Sequence, residues 1–206
     1  MIRFYRTPWI SQARYPELIW NIDSEESLYL TFDDGPHPEV TPWVIKELRK
    51  VGAKATFFCL GKHIKEYESI ARAIIKDGHI IGNHTYSHLN GWKTLNMTYQ
   101  EDIRTCDNEL MKLGIHNQLF RPPFGRIKKG QISALKNRKI VMWSHLSWDF
   151  DPKLDVNKSI EQLKAAKPGS IILFHDSIKA FNNLKIILPE ILSFFSSKGV
   201  KFESIR

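Results

Sequence analysis

Apolar residues in this chain fall into short runs separated by longer periodic stretches. Runs rich in β-branched and aromatic residues at 28–32, 55–60, 79–83, 118–121, 139–144, 170–174 and 200–204 read as strands. Helical patterns lie between them. Thr41-Pro42 reads as an N-cap followed by proline at the first helical position, with Gly52 as the stop. Thr98-Tyr99-Gln100-Glu101 has the form of a capping box. Ile103, Cys106, Leu110 and Leu113 then share one face before Gly114. Asp155 can start a helix carrying Ile160 and Leu163. The apolar stretch 184–195 stops near Gly199, and Pro189 should bend it or mark its effective start. Strand and helix in alternation predict an α/β fold, a parallel sheet wrapped by helices.

The polar residues with chemistry gather just after the strands, where α/β enzymes build their sites. Asp33 and Asp34 close the first run in Thr31-Phe32-Asp33-Asp34-Gly35-Pro36. His84 and His88 follow the third in His84-Thr85-Tyr86-Ser87-His88. Two histidines and a carboxylate suit a divalent metal such as zinc with a coordination position left for water. A second carboxylate can then take the proton of that water. If the segment is helical, the i, i+4 spacing lets both rings reach one point, and Gly82 lets the backbone turn beforehand. Each cluster also has a plain structural reading: Asp-Gly-Pro as a turn, the histidines as surface or core residues.

Three further clusters follow later strands. Arg121-Pro122-Pro123-Phe124-Gly125 is a stiff loop whose arginine can hold a carboxylate bidentately. Trp143-Ser144-His145-Leu146-Ser147-Trp148-Asp149-Phe150 offers Asp149 as partner for Arg121 or for a histidine, and tryptophans that can stack on sugars or fill the core. Leu173-Phe174-His175-Asp176 places a histidine beside an acid, a combination suited to proton donation. Five such clusters after five different strands can share one mouth. His37, His63, His79, His116 and His145 lack such pairing and are expected to be structural or solvated.

Composition narrows the picture. The chain has 206 residues, 42% hydrophobic and 25% charged, as expected for one globular domain without an internal boundary. A net charge of +8 is spread along the sequence, which favours a solvated basic surface over a nucleic-acid site. Contact with an anionic membrane or cell-wall surface fits the charge, and no protein partner is implied. Cys59 and Cys106 sit in apolar segments and read as core residues. Phosphate-cradling glycine patterns are missing, against a nucleotide enzyme. The first residues are polar and broken by Pro8, so a cytoplasmic location is expected.

Together and in this order the five motifs resemble the polysaccharide deacetylase family, the NodB-homology domain of carbohydrate esterases. The resemblance runs from about Ser27 to Ile205, with residues 1–26 expected as an N-terminal extension packed on the catalytic domain, 27–206. It implies a distorted (β/α) barrel of about seven parallel strands. It implies Asp33 as catalytic base, oriented by Arg121, and His175 as general acid, with Asp149 setting the surrounding protonation. It implies Asp34, His84 and His88 as ligands of one divalent ion, zinc first, with cobalt or nickel able to share them. The Phe124 backbone N–H would join an oxyanion hole, and Phe124, Trp148 and Leu173 are the substrate-contact candidates. Many members have Tyr where this chain has Phe124, and Trp where it has Phe150.

The implied reaction is metal-dependent removal of N-acetyl groups from an amino-sugar polymer, oligomer or glycoconjugate of chitooligosaccharide or peptidoglycan type. Three alternatives stand beside it: deacylation, acetyl or formyl, of a lipid- or nucleotide-linked sugar at the cytoplasmic membrane face; O-deacetylation of the acetylxylan type; and a barrel that binds carbohydrate without turnover.

Overall fold

The computed structural model describes residues 3–116 and 118–206. Its centre is a parallel sheet of β1 (Ser27–Asp33), β2 (Ala55–Cys59), β3 (Ile80–Asn83), β4 (Leu119–Phe120), β5 (Lys139–Ile140), β6 (His145–Leu146), β7 (Ile171–His175) and β8 (Lys201–Phe202). The order is β5-β4-β3-β2-β1-β7-β6, with β8 paired to the start of β1. Around it lie α1 (Trp9–Arg14), α2 (Val40–Lys50), α3 (Gly61–Glu66), α4 (Glu68–Lys76), α5 (Asn96–Lys112), α6 (Lys129–Ala134), α7 (Val156–Leu163) and α8 (Phe181–Ser196). Among the described residues no helix is long and apolar enough to cross a membrane.

Every residue of β1 is buried, because helices cover one face of the sheet and the barrel interior the other. Side chains alternate between the two faces. Leu28, Leu30 and Phe32 face the helical layer, where Phe32 stacks at 5.0 Å on Phe57 and 5.7 Å on Phe174. Tyr29, Thr31 and Asp33 face the interior. The same alternation in β7 sends Ile172 and Phe174 outward and leaves Ile171, Leu173 and His175 inside. Register alone therefore aims Asp33 and His175, paired across β1 and β7, into one space.

The expected strand at 139–144 is shorter: only its start, β5, is strand, and the next strand, β6, begins just past its end at the opposite edge of the sheet. Only residues 141–144 separate β5 from β6, so the sheet must curl until its edges nearly meet. The N-terminal segment spans that seam: Ile19 pairs with Val141, Arg6 with His145, and Asn21 with Ser170.

Other local expectations shift. Helix α2 begins at Val40, one residue before Thr41, because the Thr41 hydroxyl is drawn inward to Asp176. The expected capping box at Thr98 lies inside α5, which starts at Asn96 after Leu95 without a side-chain cap. Ile103, Cys106 and Leu110 are buried along it as the periodicity required, Tyr99 joins them, and Leu113 is half-buried just past the helix end. Asp155 caps α7 by accepting from the Lys158 N–H. Helix α8 passes through Pro189 and begins earlier than expected, at Phe181. Seven buried apolar side chains, Phe181, Leu184, Ile187, Leu188, Ile191, Leu192 and Phe195, hold it to the sheet. Packing of that extent outweighs one proline, which costs a helix about 3 kcal/mol.

Candidate active site

All five clusters open on one cavity of about 530 Å³ at the C-terminal ends of the strands. Asp33 ends β1, His84 follows β3, Arg121 follows β4, and His175 ends β7. Asp149 lies in the loop after β6.

Arg121 is the largest fully buried side chain and organises the floor. Its Nη1 donates to Asp33 Oδ1 and to Thr31 Oγ1, both at 2.8 Å, which the shared inward face of β1 makes possible. Its Nε donates to the Val141 carbonyl and its Nη2 to that of Met142. The guanidinium also lies 4.2 Å from the Phe58 ring centroid. With one oxygen held by Arg121, Asp33 turns Oδ2 toward His84, 3.7 Å from its Nε2.

Asp34, His84 and His88 converge, with one ligand atom of each within 4.8 Å of the others. His84 donates from Nδ1 to the Arg121 carbonyl at 2.8 Å, so Nε2 keeps its lone pair toward the cluster. Burial lowers the His84 pKa and favours that neutral form. Asp34 Oδ1 lies 3.2 Å from His88 Nε2 and 3.6 Å from His84 Nε2, yet it is buried without a hydrogen-bond donor. Burial works against the Asp34 anion, but His88, His175 and His84 together outweigh it and hold the carboxyl well below the usual range. A buried oxygen without a donor, facing two imidazole nitrogens, fits a divalent cation, which would satisfy all three at once.

The loops that carry these groups depart from ordinary backbone. Among the described residues, Asp34, Thr85, His88, Phe124 and Trp148 are the non-glycine residues with left-handed φ, between 59° and 81°. Each such residue costs on the order of 1–3 kcal/mol, and they concentrate where function demands a particular aim. The histidine pair is therefore not helical, as its spacing suggested. It is a loop pinned from several sides. Asn83 Oδ1 accepts from Thr85 N, Thr85 Oγ1 from His88 N, and Asp102 Oδ2 from Tyr86 N and Ser87 N.

Asp149 is fully buried and pairs with His175, not with Arg121 as one expectation had it. Its Oδ1 accepts from His175 Nδ1 and its Oδ2 from the His175 backbone N–H, both at 2.8 Å. Arg121 has Asp33 as its acid, with the Thr31 hydroxyl and two main-chain carbonyls taking three more of its donors. Burial disfavours the imidazolium of His175, but Asp149 overrides it and raises the pKa to about 9. His175 thus carries a proton near neutrality, with Nε2 left for the cavity. Phe150 packs edge-on against His175 at 4.9 Å and backs it. Phe124, Trp148 and Leu173 line the cavity wall.

This geometry has counterparts among known proteins. A family model described as polysaccharide deacetylase matches residues 21–143. The chain belongs to the polysaccharide deacetylase family. It is 32% identical over 194 residues to a peptidoglycan-N-acetylglucosamine deacetylase of Bacillus cereus, covering 90% of each chain. It is 40% identical over 159 residues to a chitooligosaccharide deacetylase of Azorhizobium caulinodans, covering 74% of this chain and 75% of that one. In structure it resembles the Bc1960 peptidoglycan N-acetylglucosamine deacetylase with a TM-score of 0.87 and 31% identity, over 95% of this chain and 94% of the other. Membership of this family makes the protein a hydrolase of the deacetylase type, on the distorted parallel barrel its sequence implied.

Several residues that hold this family site in place were not legible as such. Asp176, fully buried, accepts from Gly35 N at 3.0 Å and from Thr41 Oγ1 at 2.5 Å, tying the Asp-Asp-Gly-Pro loop to α2. A Cβ on Gly35 would stand 2.0 Å from Asp176 Oδ2, so glycine is required there by close approach. Burial raises the Asp176 carboxyl to about 7 despite the Thr41 hydrogen bond. His63, expected to be structural or solvated, braces the site by donating from Nδ1 to the Asp34 carbonyl at 2.7 Å. His79 and His145 are core residues, each lowered by burial to about 4. Asn183 donates to the carbonyls of Asp149 and Asp151 and fixes the loop behind His175. Only the acid beside His175 was visible in the sequence, and its partner was not.

Proposed function

We propose that this protein removes N-acetyl groups from an amino-sugar oligomer or polymer, using one divalent ion, zinc first, held by Asp34, His84 and His88. The observation that carries the reading is the division of Asp33. One oxygen is held by Arg121, the other faces His84 of the ligand cluster, and His175, raised to about 9 by Asp149, stands beside Asp33 across β1 and β7. A base, a cation site and an acid around one cavity are what amide hydrolysis requires.

When bound, the ion would polarise the acetyl carbonyl and make water more acidic. The chain's own groups do the rest. Asp33 Oδ2 takes a proton from the attacking water while Arg121 holds its other oxygen still. The Phe124 backbone N–H donates to the oxyanion that develops on the acetyl carbon; losing one such donor typically costs roughly a hundred- to a thousandfold in rate. His175 passes its Nε2 proton to the departing nitrogen, with Asp149 fixing the ring at Nδ1. The carbon–nitrogen bond breaks, and acetate and a free amine leave. Relatives named for peptidoglycan N-acetylglucosamine and for chitooligosaccharide deacetylation support an N-acetyl substrate over an O-acetyl one.

The test is acetate release from chitooligosaccharides, peptidoglycan fragments and acetylxylan, with metal content measured on the same sample. Release from the first two classes and dependence on a bound divalent ion are expected. Stoichiometric sugar binding by fully metallated protein without acetate release would overturn the reading in favour of a carbohydrate-binding barrel.

A further inference from the structure

Beyond the cavity, one exposed aromatic is held too firmly to be incidental. Trp92 is 59% exposed, although large aromatics usually bury most of their surface. It sits in a short 3-10 turn, Gly91–Lys93, that belongs to none of the five motifs. Asn90 Oδ1 accepts from Trp92 N, and the Thr94 hydroxyl donates to the Asn90 carbonyl. Gln131 Nε2 donates to the Gly91 carbonyl, and Lys128 Nζ to that of Thr94. A Cβ on Gly91 would stand 2.3 Å from the Arg126 carbonyl, so the turn lies flat against that segment. The indole Nε1 itself donates to the Ile127 carbonyl at 3.2 Å, which locks the ring in place.

The locked ring is continuous with the site. The Arg126 guanidinium lies 5.2 Å from the Trp92 ring and 5.9 Å from that of Phe124. Phe124 in turn lies 4.5 Å from the His88 ring, and both Phe124 and Arg126 line the cavity. Among the described residues no carboxylate pairs with Arg126. The Arg126 guanidinium lies over one part of the Trp92 ring, and the indole still keeps 59% of its surface exposed, so the pair offers a pyranose ring apolar surface to stack on and donors for hydroxyl or carboxylate oxygens. Rigidity established before binding lowers the entropic cost of association.

We propose that Trp92 and Arg126 form a sugar-binding platform for a residue beyond the one that is deacetylated. The substrate is then an oligosaccharide or polymer that occupies the cavity and the platform together, not a single sugar on a lipid or nucleotide carrier. This rests on the N-deacetylase reading and narrows it.

The experiment compares kcat/KM for acetate release from N-acetylglucosamine, its dimer and its tetramer in wild-type protein and in Trp92→Ala, Trp92→Tyr and Arg126→Gln. In parallel, Asp33→Asn protein with and without Trp92→Ala is titrated calorimetrically with the tetramer. Wild-type kcat/KM should rise with chain length. Trp92→Ala should lower the tetramer value about tenfold and weaken tetramer binding similarly, the loss expected of an aromatic anchor. Trp92→Tyr should retain most of both, and Arg126→Gln should lose several-fold; these two variants keep the test open if the alanine variant is unstable. A wild-type rate independent of length, or tetramer turnover and binding untouched in every platform variant, would overturn the platform while leaving the deacetylase reading intact. Failure to release acetate from any sugar would instead overturn that reading, and the calorimetry would still decide the platform.

Discussion

Asp33 and Asp34 are neighbours in the chain, and their carboxylates meet different surroundings. Asp33 is gripped: Arg121 holds one oxygen, and Thr31, Val141 and Met142 absorb the rest of that guanidinium. Asp34 is left open: its Oδ1 accepts no hydrogen bond and faces two imidazoles. The floor of the site is complete as protein alone. The Asp34, His84 and His88 cluster leaves a buried carboxylate oxygen without a donor. Two identical side chains acquire separate surroundings because β1 ends between them. Asp33 keeps the inward aim of the strand, whereas Asp34 turns through a φ of 81° into the loop.

The most severe test of this contrast is Asp33→Asn. The amide cannot accept a proton from water, so turnover should fall by about 10²–10⁴ while bound metal stays near one equivalent. Loss of metal from this variant would show that the two acids share one task.

On the gripped side, Arg121→Gln leaves Asp33 buried without its cation. We expect a loss of about 3–5 kcal/mol in unfolding free energy by denaturant titration. An unchanged midpoint would mean that the main chain, not the ion pair, holds the floor together.

On the open side, Asp34→Asn should weaken affinity for the divalent ion by at least about a hundredfold in a competition titration. Equal metal affinity in the two proteins would remove Asp34 from the ligand set.

A subtler test uses pH. His175 is raised from 6.5 to about 9 by Asp149, so its acid form persists through neutrality and is lost above pH 9. Amide turnover should fall about tenfold per unit there, whereas an activated aryl acetate, which needs little protonation, should be spared. The same ion pair stabilises the fold fully below about pH 6.5, and that contribution fades as pH rises through 9. Parallel losses on amide and ester would make His175 a positioning residue.

The smallest effect is expected at Asp176, which acts through the Gly35 loop. Asp176→Asn keeps one acceptor oxygen and should cost only about tenfold in turnover, mostly through weaker metal binding; a wild-type metal titration would disconnect Asp176 from the site.

Much of this was written in the chain. Short apolar runs such as Leu28-Tyr29-Leu30-Thr31-Phe32 marked the strands and placed Asp33 at a strand end. Alternation with helices required a parallel sheet whose loops gather the chemistry at one mouth. The motif order then identified the family. Local capping signals misled where a hydroxyl had a better distant partner, as Thr41 does in Asp176. The rings of His84 and His88 converge as the sequence allowed, but through left-handed Thr85 and His88 and not through a helix. That β5 stops at Ile140 and β6 starts at His145 on the opposite edge depends on how far the sheet curls, and no local pattern encodes that. Whether Asp149 serves Arg121 or His175 was open in the sequence, and packing settled it. Composition and periodicity act over neighbouring residues, so they fix elements and the residue types at their ends. Which carboxylate meets which cation depends on side chains far apart in sequence. Those meetings exist only once the barrel has closed around Arg121.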